Sequence, residues 1–125
     1  MLDRDLYSEL IKQHQVLIDN IVLAINESIK TNTFTDQTPS WKTHQPWENK
    51  VLPNLSKTQT HLKSANDELI KGNEDDAHRM SGVVGGIGKD IDDFDMSWMD
   101  DISKTNIDSQ LDLVVGLADS ISRGK

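Results

Sequence analysis

Apolar residues recur along this chain at three- and four-residue intervals in four separate stretches, and no stretch alternates apolar with polar residues as a half-buried strand would. The first stretch runs from 3 to 31, where Leu6, Leu10, Leu17, Ile18, Ile21, Ile25 and Ile29 form a stripe that Ile11 and Val22 widen. So broad a stripe predicts a long helix covered by two neighbours. A second chain, alike or unlike, is the open alternative for part of that cover. Residues 32–50 lose the period. They are rich in Thr and carry Pro39, Pro46, Trp41 and Trp47, which predicts a long connection folded back on the helices with both indoles partly buried. A second helix is predicted near 53–71, opened by Pro53, closed by Gly72, and apolar along Leu55, Leu62, Ala65 and Leu69. The third is expected near 74–95, capped by Asn73, with Glu74, Asp75 and Asp76 in its first turn. The fourth is expected near 106–122, with Thr105 and Asp108 spaced as a capping box and Ile107, Leu111, Val114, Val115, Ala118 and Ile121 as its apolar face. The expected fold class is all-α: one domain over 1–125, an antiparallel bundle of about four helices with one long connection bearing Trp and Pro.

The third helix departs from the pattern of the others. Gly82, Gly85, Gly86 and Gly88 fall within seven positions, and each glycine costs a helix interior roughly 1 kcal/mol relative to alanine. Winding the segment at 100° per residue puts Met80, Val83, Val84, Ile87, Ile91 and Phe94 on one side. His78 points away from them, with Ser81, Gly82 and Gly85 on its own side. The expectation is a solvent-facing imidazole on a face stripped of side chains, open to close approach by another macromolecule.

Composition narrows the functions available. With 21 acidic residues against 13 basic ones the formal net charge is −8, which disfavours a general binder of phosphate backbones. Protein partners are the better expectation, and nucleic acid is not expected. The mean hydropathy of −0.55 is polar, and no apolar run reaches the length of a membrane span. The start, Met1-Leu2-Asp3-Arg4-Asp5, lacks the basic-then-apolar plan of a secretory signal, so a cytoplasmic location is expected. There are no cysteines, which removes disulfides, thiolate zinc sites and cysteine nucleophiles.

The remaining chemistry-bearing residues do not assemble into an enzyme on this reading. No two of His14, His44, His61 and His78 have the helical spacing to each other, with a carboxylate, that carboxylate-bridged metal sites in bundles use, so neither metal nor cofactor is expected. His14 sits near the centre of the first stripe and reads as a hydrogen-bonded core histidine. The run from Asp90 to Asp101 interleaves carboxylates with Phe94, Met96, Trp98 and Met99, but lacks the central glycine and final glutamate of a calcium loop. It reads as an acidic helix end whose aromatics dock on the bundle.

Ala77-His78-Arg79-Met80-Ser81-Gly82, followed by Gly85, Ile87 and Gly88, resembles the phosphorylated helix of histidine phosphotransfer domains. In that family the histidine is followed by an apolar residue at +2, lysine at +3, glycine at +4, a small residue at +7, an apolar residue at +9 and glycine at +10. Five of the six positions match. The resemblance implies a helical bundle in which His78 accepts a phosphoryl group from a receiver domain that docks over Arg79, Ser81, Gly82, Gly85 and Lys89. Such a chain is at most a phosphotransfer intermediate, and needs no cofactor of its own. Ser81 occupies the lysine position, and Lys89 lies eleven residues from His78, roughly 16 Å by helix rise.

A non-catalytic helical partner protein, such as a chaperone, immunity or inhibitor protein, is the competing expectation. In outline the chain also resembles the small helical-hairpin substrates and partners of type VII secretion systems, which would be exported without a signal peptide. Trp41-Lys42-Thr43 and Trp47-Glu48-Asn49 lack the glycine of that family's Trp-x-Gly turn, and Tyr7 is followed four residues on by Ile11 where its secretion signal has an acid.

Overall fold

The computed structural model describes residues 2–31 and 37–123. Five α-helices are formed among the described residues: α1 (Arg4–Thr31), α2 (Leu52–Ile70), α3 (Asp75–Gly85), α4 (Ile87–Asp92) and α5 (Asp101–Arg123). Among the described residues there is no strand, and the protein is all-α. α1 packs on α2 and α5, and α3 packs on the same two helices, closing a ring of four with α4 extending α3. Neighbours run antiparallel. Tyr7 Oη donates to the carbonyl of Leu62 and Gln59 Nε2 to that of Ile11, so α1 and α2 descend past one another. Gln110 Nε2 donates to the carbonyl and side-chain oxygen of Gln13, which ties α5 to α1.

The four apolar stripes meet in one core. Leu10, Leu17, Ile21, Leu62, Ile107 and Val114 are fully buried at its centre. Each such side chain contributes about 1.5–3 kcal/mol relative to exposure. Ile29 and Val22, at the margins of the first stripe, remain exposed.

Several boundaries differ from those expected, each for a local reason. The third helix is divided at Gly86, whose N–H bonds back to the carbonyl of Val83, and its second part stops at Asp92 instead of 95. With Gly85, Gly86 and Gly88 in four positions, few side chains favour helical backbone there over a turn. The last helix begins at Asp101, not near 106. Asp100 caps it by accepting the N–H of Ser103 through Oδ1 at 2.6 Å, so Thr105 and Asp108 lie inside the helix and form no capping box. That bond holds the Asp100 carboxyl below its usual range. α2 is entered early, through a wide π-type turn over Trp47–Val51 that Pro46 precedes, so the chain is already helical at Trp47, six residues before Pro53.

The connection carries one buried tryptophan, not two partly buried ones. Residues 32–36 of the expected loop lie outside the described residues. A 3-10 turn over Ser40–Lys42 leaves Trp41 58% exposed, with Lys42 Nζ 5.1 Å above its ring. Trp47 is wholly buried and meets Phe94 and Trp98 edge-on. The indole N–H groups of Trp47 and Trp98 both donate to the carbonyl of Asp95, so the acidic segment after α4 docks on the bundle through its aromatics.

Candidate functional site

Two surfaces compete for function, and both are built on α3. The first is the flank around His78. The His78 side chain is 37% exposed, half-buried rather than free in solvent, and its Nε2 stands 4.0 Å from Glu74. Glu74 also accepts the N–H of Leu2, and Asp76 pairs with Arg79 at 3.7 Å, so three carboxylates, with Asp75, crowd the turn before the imidazole. Lys89 and Gly82 are exposed. A Cβ added at Gly82 would meet nothing within 4 Å.

Ser81 and Gly85 are not on that open face. Ser81 is fully buried, with its hydroxyl donating to the carbonyl of Ala77 at 2.8 Å. A Cβ on Gly85 would lie 3.0 Å from Asp119 Oδ1 of α5, and one on Gly88 3.7 Å from Val115 Cγ2. Ala77, Ser81 and Gly85, one turn apart, therefore make a small-residue edge along which α3 approaches α5. Helix packing accounts for Gly85 and Gly88, and the docking face expected from the winding shrinks to His78, Gly82 and the flanking Arg79 and Lys89.

Gly82 has no such packing reason. Gly82→Ala is expected to stabilise the protein by about 0.5–1 kcal/mol, since the helical position is unstrained and alanine loses less backbone entropy. Thermal unfolding checks this; a lowered midpoint would show that Gly82 is held by a contact.

The second surface is a groove between α2 and the α3–α4 pair, about 330 Å³ in volume. Val83, which the winding places on the same side as Met80 and Val84, lines it and is 50% exposed. Leu55, Met80, Ile87 and Ile91 form an apolar floor that continues into the core, and Val83 and Phe94 stand at its sides. Lys57, His61, Arg79 and Asp90 supply its charged or ionisable rim. This surface was missed in the sequence because Val83 is in phase with the core stripe.

Neither surface holds a cluster for metal chemistry: among the described residues no group of three His, Asp or Glu side chains is placed to hold a metal ion. No described helix is long and apolar enough to cross a membrane.

His14 is a core residue. It is fully buried, its Nδ1 lies 2.7 Å from Gln59 Oε1, and its Nε2 has no hydrogen-bond partner among the described residues. Because Gln59 Nε2 already donates to Ile11, Gln59 Oε1 is the acceptor and the proton sits on His14 Nδ1. Burial lowers the His14 pKa below its ordinary 6.5, and the bond to Gln59 opposes this only in part. As pH falls below about 6.5 the unfolded chain takes up a proton that the fold refuses, so stability declines until the lowered value is reached. The slope is at most about 1.4 kcal/mol per pH unit. Urea unfolding of wild type and the double variant His14→Leu/Gln59→Leu should show the variant gaining on wild type between pH 6.5 and 5. Parallel curves would remove His14 as the cause.

No protein-family model matches this chain, and neither a curated protein nor a solved structure matches it.

Proposed function

We propose that this chain is a non-catalytic helical binding protein that acts through contacts with another protein, using the groove between α2 and α3–α4. The observation that carries this reading is the exposure of Val83 beside an apolar floor. A half-exposed valine at the mouth of a 330 Å³ trough leaves apolar surface in water that a partner would remove. The antiparallel pair α1–α2 is also the feature that the chain shares in outline with type VII secretion substrates and partners. Val83→Glu places a charge at the mouth of the groove without filling the core, and is expected to abolish partner capture while thermal stability stays within about 1 kcal/mol. Undiminished capture by Val83→Glu would refute the groove.

One observation favours a second reading, phosphoryl acceptance on His78. The imidazole reaches the surface beside the open space over Gly82, where a receiver domain could approach. A neutral ring nitrogen would attack the receiver's acyl phosphate, forming an N–P bond as the aspartate carboxylate leaves, with charge neutralised by the partner's metal ion. The crowded carboxylates of Glu74, Asp75 and Asp76 oppose the arriving phosphate, and Ser81 cannot assist from its buried position. An acid-labile, base-stable phosphohistidine formed from phosphorylated receiver domains, and lost in His78→Gln, would establish this reading against the first.

A further inference from the structure

Resting on the groove reading above, we infer that its occupant is an amphipathic helix of a partner protein whose apolar stripe is flanked by carboxylates. From Val51, at the end of the π-type turn, to His61 of α2 the groove extends about 15 Å of helix rise. That length accommodates apolar anchors at i, i+4 and i+7 of a docked helix, about 10.5 Å apart end to end. A small organic ligand is fixed by polar groups converging inside a pocket. Here the floor is Leu55, Met80, Ile87 and Ile91, and the charged groups stand at the edge.

The edge supplies the sign of the partner. In a chain with 21 acidic residues against 13 basic, the rim reverses the balance, with Lys57 and Arg79 against Asp90. Because α2 and α3 are antiparallel about the turn at Gly72, His61 and Arg79 stand together at one end. Lys57 lies nearer the middle, and Asn54 and Asp90 lie at the other end. Among the described residues Arg79 pairs with Asp76 at an exposed site, a weak tie that a partner's carboxylate can replace. An acidic flank therefore meets Lys57 and Arg79, and a basic flank would meet them with like charge.

The test uses three synthetic fourteen-residue, alanine-based helical peptides titrated into the methyl-labelled full chain. One carries Leu at i, i+4 and i+7 with Glu on both flanks; the second has Lys for every Glu; the third has Glu flanks and Ser for every Leu. The Glu–Leu peptide is expected to move the methyl signals of Met80, Val83 and Ile87 and to bind about ten-fold more tightly than the Lys–Leu peptide, while the Ser peptide does not bind. The double variant Lys57→Glu/Arg79→Glu should reverse that preference. Equal affinity for the two Leu peptides, or preference for Lys, overturns the acidic partner while leaving the groove as a protein-binding face. Perturbation of the same methyls by octanoate, with none by any peptide, overturns the inference in favour of a small amphiphile. A complete absence of response also overturns it, and partner capture by Val83→Glu then decides the broader reading separately.

Discussion

Trp47→Ala is expected to destabilise the protein by about 3–5 kcal/mol, the usual cost of deleting a fully buried aromatic side chain. Trp47 is 0% exposed, contacts Phe94 and Trp98 edge-on, and donates its indole N–H to the Asp95 carbonyl, so its loss opens a cavity where three segments meet. The π-type entry to α2 and the acidic segment after α4 would both lose their common anchor. In urea unfolding the midpoint should fall, with a thermal shift on the order of 10–20 °C. Trp41→Ala, by contrast, should change stability by about 0.5 kcal/mol or less, because Trp41 is mostly in solvent. Equal effects of the two substitutions would contradict the packing described.

Val84→Asp should be as damaging. Val84 is wholly buried on α3, between the groove floor and the small-residue edge, and an aspartate there must either ionise without a partner or bind a proton. A cost of about 3–5 kcal/mol follows from an uncompensated buried charge. His78→Gln, six residues earlier on the same helix, should leave stability within about 0.5 kcal/mol, since the His78 side chain makes a long surface pair, 4.0 Å, with Glu74. Chemical denaturation of the pair separates the two faces of α3, and similar losses would show that His78 is part of the core.

The helices were legible because a 3.6-residue period is a local signal: the stripes read over Leu10 to Ile25, Leu55 to Leu69 and Ile107 to Ile121 became core except for Val22, which is exposed, and Ile11 and Val115, which are partly buried. What the period does not carry is which neighbour covers each part of a helix. α3 has two neighbours, so its buried arc is wider than one stripe and is displaced toward α5. That displacement takes Ser81 and Gly85 out of the open face and leaves Val83 at the edge of the groove. Trp41 and Trp47 differ for a similarly nonlocal reason, since the acceptor that holds Trp47 is a carbonyl 48 residues away. The start of α5 was open to a local reading. Asp100 and Ser103 have the same three-residue N-cap spacing as Thr105 and Asp108, and the chain gains more backbone bonding from the earlier start. His14 could be placed in the core by phase alone, whereas its partner on α2, Gln59, could not.

The central claim is that the groove, and not the histidine flank, is the working face of α3. Its most direct test is a photo-reactive amino acid placed at Val83 and, in a separate protein, at Gly82, followed by irradiation in the source cell. Both positions are exposed on the same helix, but Val83 borders the groove and Gly82 lies on the flank of His78. The account predicts a discrete covalent protein adduct from Val83 that is absent from Gly82. An adduct from Gly82 alone would contradict it and return function to the His78 surface.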